Sequence, residues 1–122
     1  MTSLNKKTAM YKYHDPATVL SPQNCVDSVA TIFDGGINNG AFSIAKVVWQ
    51  GDPKIAIRWN VTEREWGDPN KINGSVVCVG EPNSRGYATW FILPNDFLSA
   101  LLAGSGEIAD SVRKALAELE TE

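Results

Sequence analysis

Gly80-Glu81-Pro82-Asn83-Ser84-Arg85-Gly86-Tyr87-Ala88-Thr89-Trp90-Phe91-Ile92-Leu93-Pro94 joins a turn to a strand, and its reading decides the fold class. Proline pre-sets φ, glycine reaches positive φ and asparagine bonds its own backbone, so residues 80–86 set a loop. Residues 87–93 are aromatic and β-branched, which suits a pleated, buried surface. With a period of two, Ala88, Trp90 and Ile92 share one face, and Tyr87, Thr89, Phe91 and Leu93 share the other. Both faces are apolar, which predicts a central strand covered on each side. Arg85 is held between turn and strand.

Working upstream, residues 25–33 are rich in Val, Ile and Phe and stop at Asp34-Gly35-Gly36. A second strand is predicted over 42–50, and Gly51-Asp52-Pro53 leads tightly into a third over 54–61, so the two pair as an antiparallel hairpin. Residues 75–80 read as a fourth strand. Downstream, Asn95 suits a helix N-cap with Asp96 in the first turn, and Phe97, Leu98, Leu101 and Leu102 make an amphipathic helix ending at Gly104. A second helix follows with Ile108, Val112, Leu116 and Leu119 as its stripe. The prediction is α+β: an antiparallel sheet of about five or more strands followed by two C-terminal helices. Residues 1–122 form a single domain, with 1–23 a loosely ordered arm or edge strand, 25–94 the sheet and 95–120 the helical pair. A short strand near Tyr11 and Tyr13 fits the arm.

Composition narrows the function. The chain has 122 residues, enough for one core, and 43% of them are hydrophobic, which supports a folded domain. Eleven basic against fourteen acidic residues leave a net charge of -3, which argues against DNA or RNA as a partner. Cys25 and Cys78 lack metal-ligand spacing and read as buried free thiols of a reducing compartment. Lys6 and Lys7 precede no apolar core, so no signal peptide is read, and no run approaches the ~20 apolar residues of a membrane span. A cytoplasmic protein without a membrane partner is expected. Asn60-Val61-Thr62 and Asn73-Gly74-Ser75 fit the glycosylation sequon, which is coincidental in that compartment.

No catalytic or metal-binding constellation stands out, and no cofactor is implied. His14 beside Asp15 reads as a solvated loop pair, because sequence neighbours rarely face each other as base and orienting group. Gly35-Gly36 and Asn39-Gly40 match neither phosphate-loop spacing and read as turns. Glu63 and Glu65 flank Arg64 in a mixed-charge segment that reads as solvated.

In the third strand, Ile55, Ile57 and Trp59 fall on a core face, and Lys54, Ala56, Arg58 and Asn60 on the other. Arg58 and Asn60 then present a guanidinium and a carboxamide side by side, able to grip a phosphate and a hydroxyl, or simply to be solvated. Residues 62–75 form a long polar loop in which Trp66 can pin the loop, stack on a planar ligand or join a subunit interface. Arginine, aromatics and a glycine turn together suit an anionic, nucleotide-like small molecule. Trp59, Trp66, Tyr87, Trp90 and Phe91 supply the aromatics.

Ile57-Arg58-Trp59-Asn60 with Asn83-Ser84-Arg85-Gly86 and Thr89-Trp90-Phe91-Ile92-Leu93-Pro94 resembles the first class of phage Thoeris anti-defence proteins, sponges for cyclic ADP-ribose signals. The likeness spans residues 25–100 in layout. It implies a homodimer or higher homo-oligomer with pockets at subunit interfaces, which sequesters a cyclic adenine nucleotide without cleaving it. By type and position it carries over Arg58, Asn60 and Arg85, with Asn70 and Trp66 beside them. Ser84 and Tyr87, flanking Arg85, complete the candidate ligand-binding set. A different class of function is a protein–protein inhibitor that docks on a host factor through exposed aromatics.

Overall fold

A computed structural model describes residues 10–120, the side chains of 118–120 excepted. Strands β1 (Val26–Asp34), β2 (Phe42–Trp49) and β3 (Asp52–Trp59) form an antiparallel meander. Gln50 and Gly51 join β2 to β3 with φ of 50° and 88°, the two positive values that a tight hairpin turn requires. The turn therefore precedes Asp52, and Asp52 and Pro53 already lie in β3.

Two-residue strands β4 (Asn83–Ser84) and β5 (Tyr87–Ala88) make a separate ribbon, while β6 (Phe91–Ile92) joins β3, giving the order β1-β2-β3-β6. The single-turn helices α1 (Glu63–Trp66) and α2 (Pro69–Ile72) follow β3, and α3 (Asn95–Ala103) and α4 (Glu107–Glu120) end the chain. The fold is α+β, an antiparallel sheet with two C-terminal helices, as the sequence predicts.

Both faces of the sheet are covered. Ile44 and Ile55 pack with Val112, Leu98, Leu101, Ile108 and Leu116 of α3 and α4. On the opposite face Val26, Ala45, Val47 and Ala56 pack with Val19, Ala88 and Trp90. The Trp90 indole N–H donates to the Val19 carbonyl at 2.8 Å, so a buried aromatic satisfies its polar atom by holding down the N-terminal segment. Residues 10–23 are therefore part of the core layer rather than a loose arm, with Pro16 and Val19 buried. Residues 1–9 and the side chain of Leu119 lie outside the description.

Three local expectations are corrected. Residues 75–80 form no strand and make one bridge, Cys78 to Tyr13. Their amides are taken elsewhere: Cys78 N–H by the Lys12 carbonyl, Val79 and Gly80 N–H by the Glu65 carboxylate. Residues 87–93 do not make one central strand, because the chain leaves the ribbon after Ala88 and pairs with β3 only at Phe91 and Ile92, on the sheet edge. Pro94, not Asn95, holds the cap position of α3, with no side-chain cap bond. The expected long loop over 62–75 holds α1 and α2. Thr62 and Glu65 form a reciprocal capping box on α1, and Asp68 accepts from Asn70 N–H at the start of α2.

Candidate functional site

The alternation along β3 places each side chain on the face read from the sequence, but the burial differs. Arg58 meets segment 79–89 and Asn60 meets Asp34, Gly36 and Ser43, and they are 3% and 1% exposed. Trp59, assigned to a core face, is 50% exposed. Helices α3 and α4 cover Ile44 and Ile55 and leave Trp59, at the end of β3, half open.

Arg58 is committed to the backbone. Its Nη1 donates to the carbonyls of Pro82, at 3.2 Å, and Thr89, and its Nη2 to the carbonyl of Val79. Burial pulls its pKa down to about 10, which the Glu65 carboxylate opposes, so the group stays charged at neutral pH. Its Nε–H is buried without a protein partner. Asn60 is equally occupied: Nδ2 donates to Gly36 O at 2.9 Å and Asp34 Oδ1 at 3.2 Å, while Oδ1 accepts from Ser43 Oγ at 2.8 Å. These bonds fix the turn after β1.

Glu65, read from the sequence as solvated, is half-buried and central. Its carboxylate accepts from the N–H groups of Thr62, Val79 and Gly80 at 3.0, 2.8 and 3.1 Å and pairs with Lys71 at 3.3 Å. Burial pushes its pKa up, but the Thr62, Val79 and Gly80 amides outweigh it and hold the carboxyl below its ordinary range. Segment 79–89 is thus clamped from two sides, with Arg58 on its carbonyls and Glu65 on its amides. Gly80 at φ 72° permits the approach, since a Cβ there would meet Trp59 O at 1.9 Å.

What the clamp positions is an aromatic cup. Phe42 pairs with Trp59 and Ile57 with Phe91 across adjacent strands, so all four side chains share one sheet face. Phe42 and Trp59 meet at 81° with centroids 6.1 Å apart, forming a corner. Glu81 and Trp59 exchange backbone hydrogen bonds of 2.7 and 3.1 Å, which sets Glu81 and Pro82 at the rim. These residues and Arg58 line a cavity of about 500 Å³, and Phe91 is 51% exposed in its wall. A second, more open cavity of about 860 Å³ adjoins it through Trp59 and Glu81 and is lined by Asn39, Gly40, Thr62, Glu63 and Arg64. Arg64 lies 3.5 Å from Glu81 with both side chains open to solvent, a weak and breakable pair.

Comparison with protein families, with curated proteins and with solved structures returned no match. The site is therefore read from its own geometry.

The candidates named from sequence are dispersed within the chain. Arg58 and Asn60 lie in the core, and only Arg58 touches the cup. Arg85 and Gly86, at φ 54° and 84°, form the tip of the β4–β5 ribbon, flanked by exposed Ser84 and Tyr87. Trp66 stacks on Tyr11 at 4.3 Å and 4°, which pins α1 to the N-terminal segment. Asn70 is exposed on α2. Arg85, Ser84, Tyr87, Trp66 and Asn70 line none of the cavities described above or the smaller one beside Glu65. His14 does not pair with Asp15, which accepts from Ala17 N–H instead. Burial, then the Arg58 charge, lowers its pKa.

Sequence reasoning passed over Phe42, Glu81 and Arg64 as site residues, and it placed Trp59 and Phe91 on covered strand faces while also counting both among the aromatics open to a ligand. One signal was available. Thr62-Glu63-Arg64-Glu65 contains a capping-box spacing, which fixes a helix and so aims Arg64 outward.

Among the described residues no group of three or more His, Cys, Asp or Glu gathers at metal-binding distance. No helix among them is long and apolar enough to cross a membrane.

Proposed function

We propose that the protein is a binding protein that sequesters a nucleotide-like small molecule without cleaving it, as a phage anti-defence sponge does for a cyclic adenine-nucleotide signal. The observation that carries this reading is the cup of Phe42, Trp59 and Phe91 joined through Trp59 to a cavity bearing Arg64. A planar base stacked on Trp59 is stabilised by about 1–3 kcal/mol, and the neighbouring guanidinium of Arg64 offers a fork of donors to a phosphate. Arg58 supports the site by fixing its rim, a role that uses its charge without exposing it.

In this reading the protein acts in the cytosol as a homodimer or higher homo-oligomer, and a second copy is what would bring Arg85 and Tyr87 to a ligand. Light scattering in solution tests the assembly. The main test is to mix the protein with cyclic ADP-ribose, separate the complex, heat-denature it and analyse the released molecule by mass spectrometry. Intact ligand is the expected result. A cleaved product would make the protein an enzyme, and no retained ligand would remove cyclic ADP-ribose from the candidates.

One observation favours a second reading. The β4–β5 ribbon presents Arg85 at its tip and Tyr87 at 70% exposure, the residue types that dominate protein interfaces. A protein partner docked there would be unaffected by Trp59→Ala and lost with Tyr87→Ala.

A further inference from the structure

Glu81 occupies an unusual place for an acidic residue. It stands at the rim of the aromatic cup and borders the second cavity too, held there by backbone bonds to Trp59 rather than by its side chain. The other residues of the cup, Arg58 apart, are apolar, and the Arg58 N–H groups that form bonds are taken by carbonyls. The Arg58 and Trp59 side chains can only donate, so the side-chain acceptor among the residues lining the cup is the Glu81 carboxylate. Its ion pair with Arg64 is solvent-exposed and yields readily to a competing donor.

We infer that Glu81 selects the ring bound in the cup, favouring one with an exocyclic amino group over one with a carbonyl at the same position. This rests on the binding reading above and deepens it. A ring lying on Trp59 with an amino group toward the rim donates to the carboxylate. A ring with a carbonyl in that pose sets two acceptors against each other, and its nearest donor, the neighbouring ring N–H, meets the carboxylate only if the ring shifts on Trp59.

The test uses two nucleotide pairs that exchange amino and carbonyl groups on one ring: AMP with IMP, and CMP with UMP. Dissociation constants are measured by calorimetry for the natural protein and for Glu81→Gln, whose carboxamide both donates and accepts. The expected result is a preference of about fivefold to tenfold for AMP over IMP and CMP over UMP. Glu81→Gln is expected to reduce that preference to less than about twofold while the melting temperature holds, because the altered side chain is half exposed and the backbone bonds remain. Arg64→Ala should weaken the amino-bearing and carbonyl-bearing nucleotides alike and leave the preference standing. Equal binding within each pair, or a preference that survives in Glu81→Gln, overturns the role of Glu81 while leaving the binding reading intact. No binding of any of the four overturns both.

Discussion

Arg58 and Trp59 are neighbours on one strand with opposite fates: the charged residue is 3% exposed and the largest apolar one 50% exposed. Hydropathy alone would reverse them. What decides Arg58 is the supply of partners, since carbonyls of Val79, Pro82 and Thr89 meet its fork and repay the desolvation of a cation. What leaves Trp59 open is that the helices stop short of the strand's end, where Phe42 and Phe91 open a cup instead of closing a core. The polar face of β3 is scaffold, and its apolar end stays open to solvent.

The sharpest way to break the scaffold side is Gly80→Ala. A Cβ would lie 1.9 Å from Trp59 O at a φ of 72°, which no side-chain rotation relieves. The loss is expected to exceed about 4 kcal/mol and to leave little folded protein by circular dichroism. Next, Arg58→Met strips three carbonyls of their donor and should destabilise by about 3 kcal/mol, a fall in Tm of more than about 10 °C by calorimetry. A ligand contact without a structural role would leave Tm unmoved.

How far the sequence reached can be judged on these same residues. Period-two alternation put Ile55 and Ile57 on the helix side and Ala56, Arg58 and Asn60 on the other, because strand geometry leaves no choice. It could not say that both sides were covered. The cover on the Arg58 side is the segment around Val19, seventy-one residues from the Trp90 indole that anchors it, and nothing local encodes that contact. The absence of the expected strand over 75–80 was illegible for a similar reason: amides of this segment bond to Glu65 and to Lys12 O, partners that local pattern cannot announce. The helical pair was legible because its stripe repeats within the segment itself. Of the site, the arginines drew notice as phosphate-binding types, whereas the cup depends on cross-strand register, which places Phe42 beside Trp59 and Phe91 beside Ile57.

Smaller effects sharpen the comparison. Glu65→Gln should cost about 1–2 kcal/mol at neutral pH by removing a charge that three amides and Lys71 hold. Because the folded carboxyl titrates below its ordinary value, its contribution is full above the ordinary carboxylate range and is lost as pH falls through the folded value. Urea melts of the two proteins should therefore converge in acid; a gap that widens as pH falls would contradict this. At the ribbon tip, Arg85 at φ 54° precedes Gly86, so Arg85→Asn supplies the residue pair the turn favours and should stabilise by about 0.5 kcal/mol. A loss of stability would show that the Arg85 side chain has a role in the fold.

The division between scaffold and binding surface is tested most directly by calorimetric titration of AMP into the natural protein, Trp59→Ala and Arg85→Ala, with Tm recorded for each. If the cup is the binding surface, Trp59→Ala weakens AMP by about tenfold to a hundredfold while Tm shifts by only a few degrees, and Arg85→Ala binds as the natural protein does. Unchanged affinity in Trp59→Ala, with loss in Arg85→Ala, would move the site to the ribbon and contradict the assignment.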